Sequence, residues 1–136
     1  MKKLELVIEK EDNHLWGRVD GKGFMPTGQG TTQRELIENV KDSIRDYQQH
    51  EGKTDKLWTK VDVDSLQFDL CYDLEAFFEE FDFLNLSAIA KKAEMNRSLL
   101  NQYATGVKHA SIDQARKIQK VIRSLAQEML KVELSA

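Results

Sequence analysis

LSAIAKKAEMNRSLLNQYAT (residues 86–105) decides how the back half of this chain reads. Ile89, Ala93, Met95, Leu100 and Tyr103 recur at spacings that turn one apolar face inward on two short helical segments. Two helices packed near a right angle need a small residue at their closest approach, and Ala90 supplies it. Glu94 stands at the turn position where glycine is most usual, a departure from the pattern. The second helix starts at Asn96 or Arg97. Its outward residues are Arg97, Ser98, Asn101, Gln102 and Thr105, all able to hydrogen-bond and none acidic. Such a face suits a major groove, because Asn and Gln pair with adenine edges and Arg with guanine. Lys91 and Lys92 before it, and Lys108 and His109 after it, suit phosphates, which fix position without reading sequence. With Asn96 these residues make up the expected DNA-binding set. A helical hairpin that binds only protein is the competing reading.

Charge supports the first reading. The chain of 136 residues carries a formal net charge of −3, but unevenly. Residues 1–70 hold 11 Lys/Arg against 14 Asp/Glu, residues 71–83 hold five acids and no base, and residues 84–136 hold nine bases against four acids. A basic module on an acidic chain points to a local anionic partner such as nucleic acid, with an ordinary solvated helix surface as the competing reading.

Further helical signals flank the decisive stretch. Leu74, Phe77, Phe78 and Phe81 form an apolar cluster in a short helix expected over 73–81. Ser111 and Gln114 pair as a capping box at the start of a last helix, expected over 111–131. Ile112, Ala115, Ile118, Ile122, Leu125 and Met129 give that helix a single apolar seam. Met129, Leu130, Val132 and Leu134 are surplus apolar residues. Either they supply a two-fold interface or the last of them fold back onto their own core. The first choice predicts a homodimer or a higher even oligomer, as reading two half-sites requires.

The front half alternates with a period of two instead. Leu4, Leu6 and Ile8 predict a first strand, Asp12 and Asn13 a turn, and residues 15–20 a second strand that Gly21-Lys22-Gly23 turns back. Residues 24–28 are a third strand, edge-placed or irregular because Pro26 cannot donate to a ladder. Thr32 and Glu35 open a helix whose stripe is Leu36, Ile37, Val40, Ile44 and Tyr47. Residues 51–65 read as a connecting loop that could hold a short strand. Leu66, Phe68, Leu70 and Tyr72 mark a last strand. The fold class is therefore α+β: a βββαβ domain over 1–72, then an all-helical domain over 73–136.

Several classes of chemistry find no support. No apolar run approaches the ~18 residues that span a bilayer, so no membrane partner is expected. The basic start alternates polar and apolar residues and lacks the continuous apolar core of a secretory signal. The single cysteine, Cys71, excludes an intrachain disulfide and a cysteine-based zinc site, which predicts a cytoplasmic, nucleoid-associated protein. His14, His50 and His109 show no metal-ligand spacing. Glu5, Glu9, Asp69 and Asp73 could be proposed for metal-dependent cleavage, but alternating Glu marks the solvent face of a strand. No catalytic residue, metal or cofactor is assigned, and the protein is not expected to be an enzyme.

Residues 86–106 resemble the helix-turn-helix of the Cro and phage-repressor type. Joined to the hairpin ending near Val19-Asp20-Gly21, the segment 24–27 and the helix TTQRELIENVKDSI, they resemble the HicB family of antitoxins in its helix-turn-helix subgroup. The segment LNLSAIAKKAEMNRSLLNQYATGVKHASIDQARKIQKVI carries most of that likeness. The resemblance implies a partial, inactive ribonuclease-H-like fold in front, which blocks a HicA-like toxin, a small basic ribonuclease with a catalytic histidine. It also implies a tail that binds operator double-stranded DNA, so that antitoxin and toxin repress their own operon. An acidic front face suits a basic toxin, since charge complementarity speeds encounter and rejects wrong partners. Glu5, Glu9, Glu11, Asp12 and Asp20 are the candidate acids, Trp16, Phe24 and Met25 the exposed anchors, and Arg18 belongs to the same set. A stand-alone regulator with an α+β sensor domain is the alternative.

Overall fold

The computed structural model describes residues 3–136; Met1 and Lys2, which fall within the expected front domain, lie outside the described residues. Among the described residues the chain is α+β, with one four-stranded mixed sheet and six α-helices. It divides into two compact units, one ending at Ala76 and the other Phe77–Ala136. The division falls four residues beyond Tyr72, inside a helix.

The front unit is built on β1 (Lys3–Glu11) and β2 (His14–Arg18), joined by a two-residue turn. Asp12 and Asn13 have φ of 53° and 63°. Two consecutive left-handed residues make the type I′ turn that matches the twist of a hairpin, and Asp and Asn tolerate it best after glycine. β3 (Thr27–Gly30) lies outside β2, and β4 (Gln67–Tyr72) lies parallel to β1, in the sheet order β3-β2-β1-β4.

The third strand therefore starts later than the expected 24–28. Pro26 sits just before it, fully buried, and its carbonyl accepts from Val19 N at 2.9 Å. A proline can close the strand pair by accepting, which costs it no donor.

α1 (Gln33–Gln49) covers one face of the sheet. The Thr32 side chain accepts from Glu35 N at 3.1 Å, while the Glu35 carboxylate accepts from the Thr31 hydroxyl at 3.0 Å. The capping box is thus half formed, with Thr31 taking the reciprocal bond. Leu36, Val40 and Ile44 are buried against Leu6, Ile8, Leu15, Val19, Trp58, Val63 and Leu66. Two glycines decide how closely α1 approaches: a Cβ on Gly28 would stand 2.8 Å from Val40 N, and one on Gly30 would stand 2.7 Å from Leu36 N.

Residues 51–65 hold no strand. They form α2 (Lys56–Thr59) and a 3₁₀ turn (Val63–Ser65). Asp55 caps α2, accepting from Leu57 N at 3.0 Å and from the Tyr47 hydroxyl at 2.7 Å. Phe24 stacks on Tyr47 with ring centroids 3.8 Å apart and meets Trp58 edge-on at 5.3 Å. This aromatic group closes the core at the end of α1 and holds α2 in place.

The second unit contains most of α3 (Leu74–Glu80), then α4 (Leu86–Lys92), α5 (Arg97–Ala104) and α6 (Ile112–Leu130). Phe77, Phe78 and Phe81 cluster with centroids 4.9–5.2 Å apart. Ile89, Ala90, Ala93, Leu100, Tyr103 and Ile118 are buried, and α4 contacts both α5 and α6. The Ser111 side chain accepts from Gln114 N at 3.2 Å, but Gln114 Oε1 is buried without a partner. The second capping box is therefore also half formed.

Candidate nucleic-acid interface

The turn between α4 and α5 follows from backbone hydrogen bonding. Asn85 caps the start of α4 through Ala88 N at 3.1 Å. At its end Met95 N donates to Ala90 O at 2.9 Å and Glu94 N to Lys91 O at 3.2 Å. That is the pair of bonds of a Schellman motif, which requires a left-handed residue between them. Glu94 is that residue, with φ of 53°. α5 ends with Gly106 at φ 80°, the residue type that costs least there. The departure seen in the sequence is thus a strained residue in an otherwise ordinary turn. Glu94→Gly relieves the Cβ clash but adds unfolded-state entropy, and with relief the larger effect we expect a net gain of about 0.5–1 kcal/mol. A urea midpoint at or below the wild-type value would contradict this.

Asn96 caps α5, its Oδ1 accepting from Ser98 N at 2.7 Å. One acceptor of the expected DNA-binding set is thereby committed to the fold, and the amide NH₂ remains to donate. Leu100 is fully buried and Tyr103 nearly so. Their burial turns Arg97, Ser98, Asn101 and Thr105 to solvent, with Gln102 half-buried. Thr105 Oγ1 donates to Asn101 O at 2.8 Å, which leaves its lone pairs to accept. Lys91, Lys92, Lys108 and His109 are all exposed. The outward residues of α5 therefore form an exposed polar row without an acid among them.

Arg116, Lys117, Lys120 and Arg123 on α6 are also exposed. They contribute to the basic balance of residues 84–136, yet no motif in the sequence gives them a role; the acid-free run between Asp113 and Glu128 is the signal that marks them.

In the front unit the sheet face opposite α1 carries the other candidates. Glu9 faces Trp16 across β1 and β2, and Glu5 faces Asp69 across β1 and β4. Trp16 is 47% exposed. Arg18 lies between acids, donating to Asp20 at 2.9 Å and to Glu9 at 3.3 Å. The Asp20 carboxylate, then the Glu9 carboxylate, raises its guanidinium above the usual arginine range. Met25 is exposed, but in the segment before β3 rather than on the sheet face. Phe24 is not the exposed anchor expected: it is half-buried, its ring stacked on Tyr47 against the core. A lone aromatic in a glycine-rich segment gives no sign of which ring it will meet.

Cys71 is exposed, and its thiol is pushed up by desolvation first and by the Glu5 and Asp73 charges second. A raised thiol is a poor nucleophile at neutral pH. Among the described residues no group of three or more His, Cys, Asp and Glu side chains converges to hold a metal ion. No described helix is long and apolar enough to cross a membrane. Compared with family models, with curated proteins and with solved structures, the chain has no match.

Proposed function

We propose that this chain is a DNA-binding antitoxin, in which α4 and α5 act as a helix-turn-helix on operator DNA and the open sheet face blocks a HicA-like toxin. The observation that carries the DNA part is α5 itself. Burial of Leu100 and Tyr103 holds an acid-free row of hydrogen-bonding side chains outward, in the shape a major groove accepts. Fluorescence anisotropy on the chain's own upstream DNA and on scrambled DNA, at two salt concentrations, tests it. Asn101→Ala or Gln102→Ala is expected to lose ~1–3 kcal/mol of discrimination between the two DNAs. Lys91→Ala with Lys92→Ala should weaken both DNAs alike and flatten the salt slope by ~0.9 for each phosphate no longer neutralised. Equal, salt-collapsing binding of the unaltered chain to both DNAs would end this reading.

Support for the antitoxin part is the resemblance together with the βββαβ order, whose parallel β1–β4 pair and acid-rich exposed face suit a basic partner. Glu5→Lys with Glu9→Lys should weaken binding of a HicA-like toxin at least tenfold, or ~1.4 kcal/mol. Titration calorimetry reads this, and unchanged affinity would remove the sheet face from the proposal. Met129, Leu130, Val132 and Leu134 are 61–94% exposed and do not fold back, which favours the homodimer or higher even oligomer that half-site reading needs. Sedimentation velocity tests it, and a monomer at micromolar concentration would exclude it.

One observation favours the second reading, a stand-alone regulator that senses a small ligand. A cleft of about 610 Å³ lies at Lys56, Leu57, Lys60, Val61, Asp62, Ser65 and Leu66, within the size range of small-molecule sites.

A further inference from the structure

An ordinary solvated helix carries both signs of charge, interlaced and paired. α1 is such a helix. It presents Arg34, Glu35, Glu38, Lys41, Asp42, Arg45 and Asp46, and Arg45 alone meets Asp42 at 2.7 Å, Asp64 at 2.8 Å and Glu38 at 3.8 Å. α6 is built differently. Between Asp113 and Glu128 it carries Arg116, Lys117, Lys120 and Arg123 and no acid. All four are exposed, and none makes an ion pair among the described residues.

Their arrangement is a stripe. Ile118 marks the buried side of α6, and α4 is an element α6 packs against. At 100° per residue Arg116, Lys120 and Arg123 lie roughly 140–160° around the helix from Ile118, and so on its outer side. They follow one another at i, i+4 and i+7, spanning about 10 Å along the axis. Like charges at these spacings repel, so the helix gains nothing internally from the row. With the Gln119 amide turned to its hydrogen-bonded orientation, Arg123 donates to the Gln119 oxygen at 3.1 Å, a neutral partner that leaves the charge uncompensated. A straight, uncompensated row of cations on a chain of net charge −3 suits a linear polyanion, whose condensed counterions it would release.

We propose that the outer face of α6 is a second DNA-binding surface, separate from α5, which grips the phosphates of duplex DNA whatever its sequence. Arg116, Lys120 and Arg123 make the contacts and Lys117 adds to the field. This surface does not require α5 to read bases.

The full chain and a random-sequence 30-base-pair duplex test it, by anisotropy across a salt series. The triple variant Arg116→Gln, Lys120→Gln, Arg123→Gln is expected to bind about tenfold or more weakly at low salt, with a slope flattened by about 2.7 for three phosphates no longer neutralised. Lys22→Gln, Arg34→Gln, Lys53→Gln removes the same charge from exposed positions of the front unit and should leave binding and slope unchanged. The single variant Lys120→Gln, at an exposed position, should flatten the slope by about 0.9, and an unchanged slope there overturns the proposal should the triple variant fail to fold. The proposal is overturned if the unaltered chain does not bind the random duplex at low salt. It is overturned equally if the triple variant keeps the wild-type slope, or if the front-unit variant loses as much. Discrimination between upstream and scrambled DNA judges α5 alone, so either surface can fail without the other.

Discussion

Leu100→Ala is expected to unfold the α4–α5–α6 unit and abolish the DNA binding proposed for it, while the sheet stays folded. Leu100 has no exposed surface. Its truncation removes buried methyl groups and leaves a cavity, a loss of about 2–5 kcal/mol. The unit that must absorb this loss is small, Phe77–Ala136, with a core of a few side chains from four helices. Domains of about 60 residues bury a limited share of their surface, and stabilities of ~5 kcal/mol are ordinary for them. The loss is therefore comparable with the whole. The two units can be followed apart, because Trp16 and Trp58 both lie in the front one. Tryptophan fluorescence in urea should keep its midpoint, while far-UV circular dichroism loses the helical signal of the second unit. Leu100→Met, nearly equal in volume, should cost under about 1.5 kcal/mol and keep DNA binding. A dichroism transition at the wild-type midpoint in Leu100→Ala would mean that this core is not what orders α5.

Gly30→Val is the counterpart in the front unit, and two physical effects oppose each other in it. Valine is favoured in strands, by up to ~1 kcal/mol over poor strand formers. Against that, a Cβ at residue 30 would stand 2.7 Å from Leu36 N and 3.0 Å from the Glu35 carbonyl carbon. These are backbone atoms of the first turn of α1, held by the Thr32 cap, and no rotamer change removes them. Relief requires lifting α1 off β3, which exposes Leu36 and Val40. We expect the steric effect to win, with a loss of about 3 kcal/mol, at the upper end for overpacking. The tryptophan fluorescence midpoint should fall, with the helical signal of the second unit largely kept. An unchanged midpoint would show that α1 is free to shift.

Gly30 also shows where local pattern stops being informative. The third strand is expected to end at Gly28, yet Gly28 and Gly30 both lie in β3 and are its contact surface with α1. Sequence spacing identifies a glycine but not the helix that will lie on it. Phe24 differs from expectation for the same reason: its exposure depends on Tyr47 and Trp58, 23 and 34 residues further on, whose approach no local pattern records. The segment 51–65 reads as a loop because α2 is a single turn, too short to show a helical period, and its cap Asp55 is fastened by a tyrosine on α1.

At the candidate DNA surface more is legible. Periodicity alone places Ala90, Leu100 and Tyr103 inward and Arg97, Ser98, Asn101 and Thr105 outward, and burial follows that division, with Gln102 the half-buried exception. The basic row on α6 is present in the letters as well. Its meaning depends on which side of the helix Ile118 buries, and that is a tertiary fact.

The sequence by itself determined what nearest neighbours along the chain control: the α+β order of elements, the Asp12-Asn13 turn, the caps at Thr32 and Ser111, and the polar face of α5. These rest on backbone sterics, side-chain hydrogen bonds a few residues apart and the 2.0 and 3.6 periods. Only the tertiary structure decided that β4 lies parallel beside β1, that α1 rests on two glycines, that Phe24 packs half-buried against the core, and that α6 turns its cations outward. Each of these depends on groups far apart in sequence competing for the same buried volume, and a competition of that kind is settled only when the chain has closed on itself.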